Sequence, residues 1–407
     1  METIVIIGAG QAASSLMVKL RSQGFDGKIL LIGDEPHLPY QRPPLSKKYL
    51  AGEMPRERLL LRQAGWYEKN GIDLRLEQNA VRIDRSERHV ELASGEVVTY
   101  DRLALTTGAR PRRLPAAIGG DLPNVFMMRD LADADALSAV MAHGRRVLVI
   151  GGGYIGLEAA AEAAKKGLDV TLIEAAERIL QRVASSETAD YFRDLHHSHG
   201  VTIREGAAIE RLARGDGDEL RAHLGDGATI DADLVVVGIG ILPNSELAAD
   251  AGLEIELGGI KVDEFAQTSD PLIFAAGDCV CLDWKGQPVR LESVQNATDQ
   301  AANAAINMLG GDQPYQPEPW FWSDQYDVKL QIAGLNHGYD DVIRREGATD
   351  ASRAHFYFGG DRLLAVDAMN DPVSYNVVKR LLSAGRSIPK SSAADPATDL
   401  KALLASG

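Results

Sequence analysis

Residues 4–35 read IVIIGAGQAASSLMVKLRSQGFDGKILLIGDE, and residues 147–177 read VLVIGGGYIGLEAAAEAAKKGLDVTLIEAAE. Each stretch opens with a β-branched apolar run. A glycine-rich turn, an alanine-rich amphipathic segment, a glycine break, a second apolar run and an acid then follow. The change of period from apolar run to amphipathic segment and back predicts a strand, a helix and a strand, one βαβ unit. The unit occurs twice, too far apart for a solenoid repeat. Two nucleotide-binding units, and hence two dinucleotides, are expected.

The glycine spacing sharpens this. Gly8-x-Gly10-x-x-Ala13 follows the run Ile4–Ile7 directly. The first glycine permits a tight turn and the second lets backbone approach a pyrophosphate. The small third residue lets helix pack on strand. The helix N-terminus then offers N–H groups and partial positive charge to phosphate. Asp34 and Glu35 end the next strand, where a carboxylate meets a ribose hydroxyl. Gly151-x-Gly153-x-x-Gly156 repeats the pattern, with Glu174 as its acid. A carboxylate there accepts from both ribose hydroxyls and repels a 2′-phosphate, which predicts NADH over NADPH.

The chain has 407 residues, room for two or three domains at about 150 residues each. Lys and Arg number 43 against 58 Asp and Glu, a net charge of −15. Nucleic-acid binding and a polybasic membrane contact both need a basic face and are disfavoured. No uncharged apolar stretch reaches the roughly 18 residues of a membrane span. The Met-Glu-Thr start carries an acid where a signal peptide carries base, so a cytoplasmic protein is expected. The two cysteines, Cys279 and Cys281, are too few for a disulfide framework or a four-cysteine cluster and read as structural thiols.

Between the two units, residues 73–106 hold short alternating runs that predict strands, and residues 201–241 do the same. Residues 299–309 predict a helix after Gly277-Asp278. From Trp320 the texture changes. Runs at Lys329–Ala333, His355–Phe358 and Leu363–Val366, then a helical segment near Tyr375–Ala384, predict an α+β domain. The tail from Ser391, rich in Ala, Ser and Asp, is expected to be loosely held until a short helix at Leu400–Leu404. His196, His197 and His199 read as the end of a solvated helix, and no metal site is expected.

Further motifs carry a resemblance. They are Thr99 to Ala109 (TYDRLALTTGA), Asp233 to Asn244 (DLVVVGIGILPN), and Thr268-Ser269-Asp270-Pro271 through Ala275-Ala276-Gly277-Asp278. With the two glycine motifs, in this order, the sequence resembles the FAD-dependent pyridine-nucleotide reductases. Tyr40-Gln41-Arg42-Pro43-Pro44-Leu45-Ser46-Lys47 and Trp320-Phe321-Trp322-Ser323-Asp324-Gln325 narrow the match. They closely resemble the NADH-dependent ferredoxin reductases of bacterial oxygenase systems, the putidaredoxin reductase group. The resemblance covers nearly the whole chain and weakens after Pro389.

That resemblance implies an α/β fold of the glutathione-reductase type. Two Rossmann-like domains, FAD-binding at 1–112 and 245–320 and NAD-binding at 113–244, precede a C-terminal α+β domain at 321–407. It implies FAD contacts from Gly8, Gly10, Ala12, Ala13, Asp34, Arg42, Lys47, Val81, Thr107, Gly108, Arg129, Asp278, Val294 and Trp322. Asp278 is expected at a helix N-terminus, on the ribityl chain. NADH contacts fall to Gly151, Gly153, Tyr154, Ile155, Gly156, Glu158, Glu174 and Gly240. Lys47 and Glu158 are implied to meet at the flavin ring, where a lysine stabilises the negative charge of the reduced flavin and a carboxylate keeps it charged. Trp322 is implied to lie over the flavin, in an aromatic patch with Trp320, Phe321 and Tyr326.

The disulfide reductases of this superfamily carry a C-x-x-x-x-C pair after the first helix, and the related peroxidases a single cysteine. Gln41 to Lys48 contain neither. Thiol chemistry is therefore not expected, and electrons must pass outward. The implied acceptor is a small [2Fe-2S] ferredoxin serving an oxygenase. Rubredoxin or quinone reduction, or an NADH-sensing role similar to apoptosis-inducing factor, are the other readings. The ferredoxin is expected to dock near the flavin and the C-terminal domain. There residues 376–390 hold Lys379, Arg380, Arg386 and Lys390 and no acid.

Overall fold

A computed structural model describes residues 1–215 and 217–405, and the chain forms two units. The first comprises Met1–Arg42, Arg56–Arg110 and Ile241–Pro319. Its centre is a five-stranded sheet in the order Ile273–Ala275, Arg102–Leu105, Thr3–Ile7, Lys28–Ile32, Ile72–Arg75, parallel throughout. A parallel sheet covered on both faces needs apolar residues along the whole strand. Ile4–Ile7 and Ile29–Ile32 are accordingly buried without alternation. The helices Gln11–Ser22 and Val294–Met308 pack together against this sheet through Ala12, Ala13, Leu16, Ala297, Ala301 and Ala304. Small side chains there let the helix backbones approach closely. An antiparallel meander, Ala80–Asp84, His89–Leu92 and Val97–Thr99, accounts for most of the alternating runs in 73–106.

The second unit comprises Pro43–Pro55, Pro111–Gly240 and the chain from Trp320. It repeats the parallel sheet, in the order Thr202–Arg204, Asp169–Ile173, Arg146–Ile150, Leu234–Val237, Val125–Phe126. A second meander, Ile209–Arg214, Leu220–Leu224 and Thr229–Ala232, follows the same plan. From Trp320 an antiparallel sheet runs in the order Trp320–Gln325, Val328–Gly334, Arg362–Met369, Arg353–Gly359, Asp341–Glu346. The outer strands Trp320–Gln325 and Asp341–Glu346 join the three runs foreseen above.

Helix Pro372–Ser383 packs on this sheet, with Asp371 accepting from the Ser374 N–H as its cap. The tail departs from expectation. The Arg345 guanidinium donates to the carbonyls of Ser392, Asp395, Pro396 and Thr398, and Ala393 and Leu400 are buried. One arginine fork satisfies four carbonyls, so the tail is pinned although its own composition is polar. Among the described residues no helix is long and apolar enough to cross a membrane.

Candidate functional site

The two glycine turns are built alike, one in each unit. In the first, strand Thr3–Ile7 ends at Gly8, whose φ is +102°. A Cβ at Gly8 would lie 2.3 Å from the Thr106 carbonyl oxygen, so only glycine fits the turn. Gly10 is the N-cap of helix Gln11–Ser22 and supplies no side-chain cap. A Cβ there would meet nothing within 4 Å. The turn therefore leaves the first helical N–H groups beside open space, as phosphate binding requires.

Beside it lies a cavity of about 320 Å³, lined by Ile7, Gly8, Asp34, Val81, Thr107 and Asn244 among others. Thr107 and Asn244 close one wall. The Thr107 hydroxyl donates to the Asn244 carbonyl at 2.6 Å, and the Asn244 amide returns a bond to the Thr107 carbonyl at 2.8 Å. Gly108, at φ +65°, accepts from the Asn244 N–H at 2.9 Å, a third bond across that wall. Val81 is half exposed at the cavity rim, an apolar surface suited to a ring. Asp34 faces the cavity. Glu35 does not, because its carboxylate accepts from the Tyr40 hydroxyl and the Arg42 guanidinium, each at 2.5 Å. Arg42 is thus engaged with Glu35 and lies over the Tyr40 ring. An open glycine turn, a facing acid and an apolar rim together fit an adenine dinucleotide.

Asp278 corrects an expectation. It stands in a turn between strands Ile273–Ala275 and Val280–Trp284, not at a helix N-terminus. The helix expected from residue 299 starts at Val294 with Ser293 as its cap, and strands Val280–Trp284 and Gln287–Val289 intervene. Gln300 of that helix reaches back, accepting from the Gly277 N–H at 2.9 Å.

In the second turn Gly151 has φ +108°, and a Cβ there would lie 2.5 Å from the Gly238 carbonyl oxygen. Gly153 caps helix Tyr154–Lys165 without a side-chain bond and faces open space. A Cβ on Gly156 would lie 2.0 Å from the Gly151 carbonyl oxygen, so that residue sets the close crossing of helix and turn. Ile155 is exposed beside the turn, while the Tyr154 hydroxyl is buried without a partner and its ring packs on Phe321 at 4.9 Å. What Tyr154 presents to the turn is therefore backbone.

Glu174 is fixed by two backbone donors, Gly152 N–H at 2.6 Å and Ala176 N–H at 2.8 Å. Each oxygen keeps a lone pair for a further donor. Arg178, the cation nearest in sequence, donates instead to the carbonyls of Ile179, Ala184 and Ser185. Gly240, at φ +99°, accepts from the Arg112 N–H, with the Arg182 guanidinium beside it.

The second unit also holds a buried ion pair. A 3-10 turn, Pro43–Ser46, delivers Lys47, whose ammonium lies 2.6 Å from Glu158 Oε2. The Lys47 side chain is 14% exposed and that of Glu158 2%. Ser46 donates to the same oxygen at 2.8 Å, and Ser323 donates to Oε1 at 2.7 Å. Burying a carboxylate this deeply is costly unless it is paired and hydrogen-bonded, and here both oxygens have donors. Arg129 is in the same unit, where its N–H donates to Asp133 just before helix Leu131–Val140.

Strand alternation explains Ser323. On Trp320–Gln325, residues 321, 323 and 325 share one face, which meets helices Tyr154–Lys165 and Ser186–Ser198 through Tyr154, Glu158 and His196. Residues 320 and 322 share the other. The Trp320 and Trp322 rings meet there, tilted at 36° with centroids 5.7 Å apart, and Lys379 lies over Trp320 at 4.8 Å. Phe321 reaches Trp322 at 6.4 Å. Tyr326 lies outside this patch and stacks on His199 at 3.7 Å.

His196 departs from the solvated helix end expected of the three histidines. His196 is fully buried, and burial lowers its pKa to about 4. It follows Thr188, Ala189 and Phe192 on the buried face of helix Ser186–Ser198, a four-residue rhythm the sequence displays. His197 and His199 are exposed, and no metal-holding cluster exists among the described residues. Both cysteines are buried, and burial raises both thiols, so neither is reactive. The double substitution Cys279→Ser and Cys281→Ser is expected to leave NADH-dependent ferricyanide reduction within about twofold of wild type. Collapse of activity with FAD content intact would restore a redox role to the thiols.

The family described as pyridine nucleotide-disulphide oxidoreductase matches residues 2–301, and the reductase C-terminal domain matches residues 320–404. The chain is 44% identical to rhodocoxin reductase of Rhodococcus erythropolis, over 99% of this chain and 94% of the relative. It is 40% identical to putidaredoxin reductase CamA of Pseudomonas putida, over 99% and 97%. Among solved structures, putidaredoxin reductase in its covalent complex with putidaredoxin superposes with a TM-score of 0.95 at 40% identity, covering 100% and 98% of the two chains. The ferredoxin reductase of the CYP199A2 system of Rhodopseudomonas palustris gives 0.94 at 41% identity, covering 99% and 100%.

Proposed function

The chain belongs to the pyridine nucleotide-disulphide oxidoreductase family, and within it we propose an NADH-dependent reductase that passes electrons through FAD, singly, to a small [2Fe-2S] ferredoxin serving an oxygenase. The observation that carries this reading is the pair of open glycine turns, one per unit, in a chain whose segment Gln41 to Lys48 holds no thiol. The relatives named above are reductases of such electron-carrier systems, and one has been captured joined to its redox protein.

Bound FAD supplies the conversion of a two-electron hydride donor into two single-electron deliveries. The chain binds and orients. Gly8, Gly10, Ala12 and Ala13 would receive the FAD pyrophosphate, Asp34 its ribose, and Val81, Thr107, Gly108, Asp278 and Val294 the remainder of that surface. Gly151, Gly153, Ile155, Gly156 and Gly240 would receive the NADH phosphates, and Glu174 the ribose hydroxyls. We assign Lys47, Glu158 and Trp322 to the tuning of the flavin, with Arg42 and Arg129 as further FAD contacts. We divide the chain into FAD-binding residues 1–112 and 245–320, NAD-binding residues 113–244 and a C-terminal domain 321–407. Two buried free thiols suit the cytoplasm, a reducing compartment.

For docking, Lys390 is paired with Asp341 and Arg386 with the carbonyls of Leu403 and Leu404, so Arg380 is the exposed cation of that segment. NADH-driven cytochrome c reduction with a panel of purified ferredoxins tests the assignment. At least one [2Fe-2S] ferredoxin should couple the two. Turnover with ferricyanide but with no ferredoxin would sink it.

Cofactor choice is tested at Glu174. Wild type should prefer NADH in kcat/KM by at least about a hundredfold, the cost of placing a 2′-phosphate against a fixed carboxylate. Glu174→Ala should narrow that gap. A wild type that prefers NADPH would show that Glu174 does not read the ribose.

A further inference from the structure

We propose that His196 and Gln325 are positioning residues for the Lys47–Glu158 pair, set in a one-way chain of hydrogen bonds that starts at Tyr326 and ends on the Glu158 carboxylate. The chain is continuous. Tyr326 Oη lies 3.1 Å from His196 Nδ1, His196 Nε2 lies 2.9 Å from Gln325 Oε1, Gln325 Nε2 lies 3.2 Å from Ser323 Oγ, and Ser323 Oγ lies 2.7 Å from Glu158 Oε1. His196, Gln325 and Ser323 are fully buried.

Chemistry fixes its direction. A carboxylate only accepts, so the single Ser323 proton goes to Glu158. The Ser323 oxygen must then accept, which turns the Gln325 amide nitrogen toward it and the amide oxygen toward His196. That oxygen accepts, so His196 carries its proton on Nε2. Its bare Nδ1 accepts from Tyr326. The low pKa of His196 keeps the ring neutral, as this polarity requires.

The consequence falls on Lys47. Ser323 holds Oε1, which leaves Oε2 to the Lys47 ammonium and the Ser46 hydroxyl. Three of the links join different segments of the chain: His196 to Gln325, Tyr326 to His196 and Ser323 to Glu158. An amide in the middle is a poor conductor of protons, so the chain orients the carboxylate and does not relay a proton to it. Without Gln325 the Ser323 oxygen loses the donor that holds it, and a buried acceptor is left unpaired beside the bond to Glu158. The inference rests on the reading of Lys47 as a group that works on the flavin.

Two measurements test it. In histidine-15N-labelled protein, with and without FAD, His196 should appear as the neutral Nε2–H form from about pH 8 down to about pH 6. The groups facing it are His197 and His199 on its own helix, Gln325 and Tyr326 from the strand and its turn, and Glu162 and Lys165 around Tyr326. A proton on Nδ1, or titration near the ordinary value of about 6.5, overturns the chain.

In stopped-flow reduction of the holoprotein by NADH, Gln325→Leu should lower the limiting rate about tenfold with the NADH dissociation constant unchanged. His196→Gln, which keeps an N–H donor, should retain most of the rate if it folds with full FAD. In a Lys47→Ala background Gln325→Leu should add nothing, because what it positions is gone. An equal loss in both backgrounds would make Gln325 a mere packing residue and overturn the role. A wild type that NADH does not reduce would instead overturn the function proposed above.

Discussion

Replacing Lys47 by alanine is expected to slow the reduction of the bound flavin by NADH about a hundredfold, the usual loss when one preorganised charge is removed from a reacting centre. The geometry gives this variant a second effect. Glu158 is 2% exposed and would keep only the Ser46 and Ser323 hydroxyls as donors. Breaking a buried pair by removing one partner costs about 3–5 kcal/mol, so the melting temperature should fall as well. The two effects separate experimentally. FAD content and thermal stability report the buried charge, and stopped-flow absorbance on the folded, yellow fraction reports the chemistry. Lys47→Met with Glu158→Gln should recover most of the stability and none of the rate. Reduction of Lys47→Ala at the wild-type rate would remove Lys47 from the mechanism, whatever happens to stability.

Gly8→Ala is expected to yield protein without FAD and with a lowered melting temperature. Its φ of +102° is closed to alanine, and the new methyl would stand 2.3 Å from the Thr106 carbonyl oxygen on the neighbouring segment. Strain of this kind costs about 1–3 kcal/mol before the clash is relieved. Relief has to move either the turn or residues 106–107, and Gly8 and Thr107 both line the cavity. Gly10→Ala makes the contrast. Its Cβ would touch no protein atom within 4 Å, so folding should be kept while the space a pyrophosphate needs is filled. Flavin absorbance per chain and thermal melts of both variants decide the matter. A Gly8→Ala protein with full flavin and an unchanged melting temperature would show that the turn can open elsewhere at little cost.

The two βαβ units, their glycine turns and the strand character around them are written in local pattern. A β-branched run, a glycine needed at positive φ and a small residue at a helix–strand crossing each act over a few neighbours, so sequence alone determines them. Sequence also determined that no thiol stands at Gln41 to Lys48, which excludes disulfide exchange there. Tertiary structure alone decided the rest. Asp34 and Glu35 are adjacent and alike, and only Tyr40 and Arg42, by engaging Glu35, leave Asp34 to face the cavity. The polar tail after Ser391 has no local reason to be ordered, and the Arg345 fork supplies one from 47 or more residues away. His196 carries the polarity of a solvated residue, yet the strand Trp320–Gln325 covers it and sets its tautomer partner. Lys47 and Glu158 are 111 residues apart, and Glu158 and Ser323 are 165 apart. The strength of such contacts depends on burial, and burial is a property of how distant segments pack, not of the residues on either side.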